Sequence, residues 1–133
     1  MIDYKGILED YARLRRISKA KAALLRSGSR LSGMLNDPRR GATAAEKLEE
    51  IKRGIGQLED ETLDTEKALR EKQLEIRQRI EQMDDWQAKK AIICRYLEGK
   101  SVHETMDCIG YSETQVRRFI NQGKAEINSP AAE

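Results

Sequence analysis

The stretch AKKAIICRYLEGKSVHETMDCIGYSETQVRRFINQGKAEI, residues 88–127, carries two sets of helix-boundary signals within one short run. Ser101-Val102-His103-Glu104 and Ser112-Glu113-Thr114-Gln115 both have the form in which a Ser hydroxyl takes an orphan backbone N–H and a Glu or Gln three residues on reaches back to the cap. Gly99 and Gly110 stand just upstream of these boxes, where a left-handed residue that only glycine adopts cheaply can end the preceding helix. The signals predict a helix over about 85–98, a short helix closing at Gly110, and a longer helix opened by Ser112. A short helix, a glycine turn and a longer helix make a helix-turn-helix. Trp86, Ile92, Ile93, Tyr96, Leu97, Met106, Ile109, Val116, Phe119 and Ile120 are the apolar residues that would fill its core. Cys94 and Cys108 are expected as reduced core thiols, and His103 as a surface helix residue.

In such motifs the second helix enters the major groove by its early residues. Ser112, Thr114, Gln115, Arg117, Arg118, Asn121 and Lys124 fall on or near the outer surface of that helix and are the candidate DNA-binding residues. Arg suits guanine edges, Gln and Asn suit adenine edges, and Lys more often takes phosphates.

Upstream, Tyr4, Ile7, Tyr11, Leu14, Ile17, Leu24 and Leu25 recur at helical spacing behind Asp3, a good N-cap, and Gly28 is a stop signal, so a first helix is expected over 3–27. Residues 28–42 hold several glycines, Pro38 and the basic Arg30, Arg39 and Arg40, and are expected to form a long loop. Thr43-Ala44-Ala45-Glu46 is a further capping box, predicting a second helix over 43–83. Leu48, Ile51, Ile55 and Leu58 form one apolar block, and Leu69, Gln73, Ile76, Ile80 and Met83 another. Thr62 and Thr65 lie between them, and the consecutive four-residue steps through Thr65, Leu69 and Gln73 are a stutter.

A rod of this length, roughly 60 Å at ~1.5 Å per residue, cannot bury its own stripe. The first helix folded back as a hairpin covers part of it. A second copy of the chain covering the rest would make Leu48, Ile51, Ile55, Leu58, Leu69, Ile76, Ile80 and Met83 an oligomerisation surface, with a dimer favoured. The alternative is an antiparallel hairpin in a monomer. Gly54 and Gly56 either bend the rod or allow a close helix approach.

The chain has 133 residues, 36% of them charged, yet its 25 basic and 23 acidic side chains nearly cancel at +2. The charges segregate: residues 1–41 hold 10 basic and 4 acidic side chains, residues 42–85 hold 8 and 13, and residues 86–133 hold 7 and 6. A basic helix and an acidic rod are thus matched partners. Dense charge of both signs with only 5% aromatic residues fits long solvated helices. Strand formers are scarce, Val102 and Val116 being the two valines, so the expected class is all-α. No apolar run is long enough for a membrane helix, the N-terminus has no signal-peptide core, and a bacterial cytoplasmic setting is expected. No metal-ligand spacing, phosphate loop or nucleophile–base constellation is visible, so neither enzyme activity nor a cofactor is expected. The implied layout is a hairpin or coiled-coil region over 1–84, a DNA-binding domain over 85–127 and a flexible tail over 128–133.

The run Tyr96-Leu97-Glu98-Gly99-Lys100-Ser101, with Glu104, Gly110-Tyr111-Ser112-Glu113 and Val116, resembles the region-four helix-turn-helix of sigma factors. The likeness spans about residues 86–127. An N-terminal helix, a Ser/Gly-rich loop, a charged rod and this motif together resemble small phage and prophage regulators, including the ArpU-type late regulators. The resemblance implies DNA binding and transcriptional control of phage or prophage genes. Thr105-Met106 stands where that family commonly has Ile-Ala, His103 replaces an acid of the usual pair, and Gly123 falls late in the recognition helix. Two other functions suit the same layout: DNA packaging of the small-terminase kind, and a protein-interaction module contacting RNA polymerase.

Overall fold

The computed structural model describes residues 1–129, and every regular element in it is helical. The long helices are α1 (Tyr4–Ser32) and α2 (Gly41–Arg79), followed by a single 3-10 turn (Ile80–Gln82). The short ones are α3 (Trp86–Ile92), which runs into a π turn (Ile93–Leu97), then α4 (Val102–Ile109) and α5 (Glu113–Asn128). The protein is all-α, as its composition predicts. No helix among the described residues is long and apolar enough to cross a membrane. The expected tail begins later than position 128, since α5 extends to Asn128 with Ser129 as its cap, and its remainder lies outside the described residues.

The chain forms two compact units: Met1–Tyr11 with Leu69–Glu133, and Ala12–Ala68. The Ala12–Ala68 unit is an antiparallel helical hairpin. Lys21 pairs with Glu59 at 3.2 Å across it, a basic first helix meeting an acidic second one as the charge pattern predicts. Gly54 lets the helices approach: a Cβ there would stand 3.1 Å from Leu24 Cδ1. α2 is continuous through Gly54 and Gly56, so neither breaks it. Burial is thin, with Ile17, Ala44 and Thr65 the buried side chains of this unit and Leu48, Ile51, Ile55 and Leu58 only half-buried.

Two expected boundaries shift. α1 passes through Gly28, which faces Ile51 and Leu48 of α2 and keeps an ordinary helical φ instead of capping. The connection is therefore residues 33–40, about half the length expected. Second, α2 starts at Gly41, not at a Thr43 cap. Asp37 sets that start, accepting the Arg39 N–H on its carboxylate at 2.8 Å and the Gly41 N–H on its carbonyl at 2.8 Å.

The other unit gathers α3, α4 and α5 with the N-terminal end of α1 and the C-terminal end of α2. Ile7, Ile76, Ile92 and Val116 are fully enclosed. Leu69, Ile80 and Met83 are buried as well. Together with Ile76, these three were expected to face a second copy; in the structure all four are already buried within one chain. Gln73, in the same stripe, is 2% exposed and fully satisfied. Its Nε2 donates to Tyr11 Oη and to the Tyr96 carbonyl, each at 2.7 Å, and its Oε1 accepts from Arg77 at 3.2 Å. Tyr11 Oη in turn donates to the Leu97 carbonyl at 2.8 Å.

The core expectation needs two corrections. Trp86 is 60% exposed, its ring lying under the Lys90 ammonium at 5.0 Å. Cys108 is exposed, while Cys94 is buried. The single helix expected over 85–98 also changes character after Ile92, where the Glu98 N–H bonds to the Ile93 carbonyl at 2.9 Å in the wider π register.

Candidate nucleic-acid interface

α4 and α5 are built as their capping residues dictate. Gly99 and Gly110 have φ of 72° and 76°, the left-handed conformation that closes each preceding segment. Ser101 and Ser112 both cap through complete boxes, with Glu104 and Gln115 reaching back. Thr105 is fully buried at the helix-turn-helix core and donates its hydroxyl to the Ser101 carbonyl at 2.8 Å, so this buried polar side chain is paired. His103 lies exposed, as expected for a surface helix residue.

α5 then presents two faces. Val116, Ile120, Gly123 and Ile127 are buried. Gly123 is a close-packing residue of α5. A Cβ there would run into Ile92 and stand 3.1 Å from the Ala88 carbonyl of α3. The far end of α5 is tied down by Arg79, which donates to the Ile127 carbonyl at 2.8 Å, and by Glu126, which accepts the Asp84 N–H at 3.0 Å.

The candidate DNA-binding residues divide by what already holds them. Thr114, Arg118 and Asn121 are exposed along the crest opposite the buried face. Ser112 and Gln115 are also exposed, but their oxygens make the cap: Ser112 Oγ accepts the Gln115 N–H at 3.4 Å and Gln115 Oε1 accepts the Ser112 N–H at 3.2 Å. Arg117 is held by Glu113, with Nη2 and Nε at 2.9 and 3.2 Å from one carboxylate oxygen. That hydrogen bond, and then the charge of Arg117, lowers the Glu113 pKa. Lys124 is half-buried and sits over the rings of Tyr4 and Tyr96, 5.0 and 5.2 Å from their centroids. Burial of the Tyr4 phenol, then the neighbouring Tyr96, pushes its pKa up to about 12.

Arg117, Asn121 and Lys124 line one side of a cleft of about 280 Å³ whose other walls include Arg95 and Val102. Arg95 is a cation the sequence pattern did not single out. It lies in the π turn, and its guanidinium is steadied by the Lys100 carbonyl at 3.0 Å. The only local signal for it is a basic residue just before Tyr96-Leu97, which by itself points nowhere. Three cations line one cleft beside the crest of α5, a set of donors chemically suited to phosphate oxygens.

No protein-family model, curated protein or solved structure matches this chain.

Proposed function

We propose that the protein is a sequence-specific DNA-binding regulator of transcription, of phage or prophage genes, that inserts α5 into the major groove. One observation carries the reading. α5 is fixed on its inner face by a complete core, while Thr114, Arg118 and Asn121 are displayed outward beside the cations of the Arg95–Lys124 cleft. On this reading Arg118 and Asn121 contact base edges and Arg95, Arg117 and Lys124 take phosphates. The half-buried Leu48, Ile51, Ile55 and Leu58 of the hairpin support pairing of two copies, which would set two recognition helices on two half-sites.

The test is an electrophoretic mobility shift on duplexes from upstream of the neighbouring genes, run at several salt concentrations. A specific complex whose affinity falls steeply with salt is expected. The double variant Arg117→Ala/Arg118→Ala should weaken it at least about tenfold, since a good base-edge contact is worth ~1–3 kcal/mol. Equal binding by the double variant would remove α5 as the reading surface.

A further inference from the structure

Cys94 and Cys108 come from different elements, the π turn and α4, and meet at one cavity of about 410 Å³ that Lys100 also lines. Lys100 joins them: its backbone N–H bonds to the Cys94 carbonyl at 2.9 Å, and its ammonium nitrogen is 2.8 Å from Cys108 Sγ. Their settings differ. Cys108 is exposed and has the cation; Cys94 is buried, and that burial, then the charge of Cys108, pushes its thiol up to about 11. An accessible sulfur beside an ammonium, with a second thiol on the same cavity, is the arrangement found where one cysteine reacts and its neighbour resolves.

We propose that Cys108 and Cys94 form a reversible oxidation site for peroxides, with Cys108 as the attacking sulfur and Cys94 as the resolving one. Cys108 attacks hydrogen peroxide as its thiolate. The S–O bond forms, the O–O bond breaks, and hydroxide leaves and takes up a proton, giving Cys108 sulfenic acid. Cys94 then attacks the Cys108 sulfur; the S–S bond forms, the S–O bond breaks, and the departing hydroxide leaves as water with the Cys94 proton. Two thiols and one peroxide become one disulfide and two waters, the sulfurs giving up two electrons. The new bond staples α4, the first helix of the helix-turn-helix, to the π turn that follows α3, and a dithiol reverses it by exchange. The site stands independently of whether α5 reads DNA.

The full chain, reduced and then treated with stoichiometric hydrogen peroxide, is alkylated and weighed intact. The expected result is a loss of about 2 Da with no alkylation, a cross-linked peptide joining residues 94 and 108, and recovery of both alkylatable thiols with dithiothreitol. Cys94→Ser should stop at a sulfenic acid on Cys108 that dimedone captures, and Lys100→Gln should slow disulfide formation about tenfold. Circular dichroism checks that each variant is folded. Two alkylatable thiols after oxidation of the wild-type chain, or a disulfide joining only separate chains, would overturn the proposal. So would an unchanged rate in a folded Lys100→Gln.

Discussion

Replacing Gly123 by Ala sets two effects of known sign against each other. The added methyl favours helix by ~1 kcal/mol wherever it meets open space. At Gly123 it meets Ile92, whose Cδ1 would be 2.9 Å away, and the Ala88 carbonyl at 3.1 Å. Ile92 is fully buried and Ala88 belongs to the α3 backbone, so neither can swing aside cheaply. Inserting a methyl into a filled core costs ~1–3 kcal/mol. The balance is a destabilisation of up to about 2 kcal/mol. Gly56 is the control, since a Cβ there has nothing within 4 Å, and Gly56→Ala should stabilise by about 0.5–1 kcal/mol. Urea unfolding separates the two. Trp86 on α3 reports its unit by fluorescence for Gly123→Ala, and far-ultraviolet circular dichroism follows the helix content for Gly56→Ala. The midpoint should fall for the first and rise for the second. A Gly123→Ala protein as stable as Gly56→Ala would mean that α5 does not sit this close to α3.

Tyr11→Phe removes the donor to the Leu97 carbonyl and the acceptor for Gln73 Nε2, and should cost ~1–3 kcal/mol of unfolding free energy in the same urea assay. Ser112→Ala deletes the cap of α5 and should cost ~1 kcal/mol, whereas Ser112→Asp should retain most of it. Glu113→Gln releases Arg117 and should tighten DNA binding several-fold in the mobility-shift assay; weaker binding would count against Arg117 as a contact. The Glu113–Arg117 pair has a definite pH sense: because Arg117 lowers the Glu113 pKa, its contribution is complete above the ordinary carboxylate range and is lost as pH falls through the lowered value. A Glu113 carboxyl titrating by NMR at or above 4.5 would contradict the pair.

What could be read from the sequence was local. Ser101, Ser112, Gly99 and Gly110 act on the backbone within a few residues, and each does in the structure what its spacing predicts. The apolar periodicity of α1 and α2 likewise located two helices. The misplacements involve distant chain segments. Gly28 resembles a stop until α2 lies against it. Trp86 resembles core until α3 turns it outward. Leu69, Ile76, Ile80 and Met83 form an apolar stripe that periodicity alone assigns to any partner. Gln73 in that stripe was the available clue. A buried amide needs particular polar partners, and the Tyr96 carbonyl and Tyr11 hydroxyl supply them from within the same chain.

The same distinction applies to the candidate interface. Side-chain chemistry nominated seven positions of equal standing, yet the structure gives them unequal freedom. Ser112 and Gln115 are committed to starting α5, Arg117 is shared with Glu113, and Lys124 rests on two tyrosine rings. Substituting any of these changes the stability or orientation of the helix as well as its outer surface. Thr114, Arg118 and Asn121 are exposed on the crest of α5, so changes there alter what α5 offers a partner while leaving its seat on α3 intact. A binding defect at Arg118 or Asn121 with unchanged unfolding is therefore stronger evidence for recognition by α5 than a larger defect at Lys124. Near-zero net charge does not oppose such a role. The acidic excess falls in residues 42–85, whereas the cleft beside α5 collects Arg95, Arg117 and Lys124 at one place. A nucleic acid responds to that local field rather than to the sum over the chain.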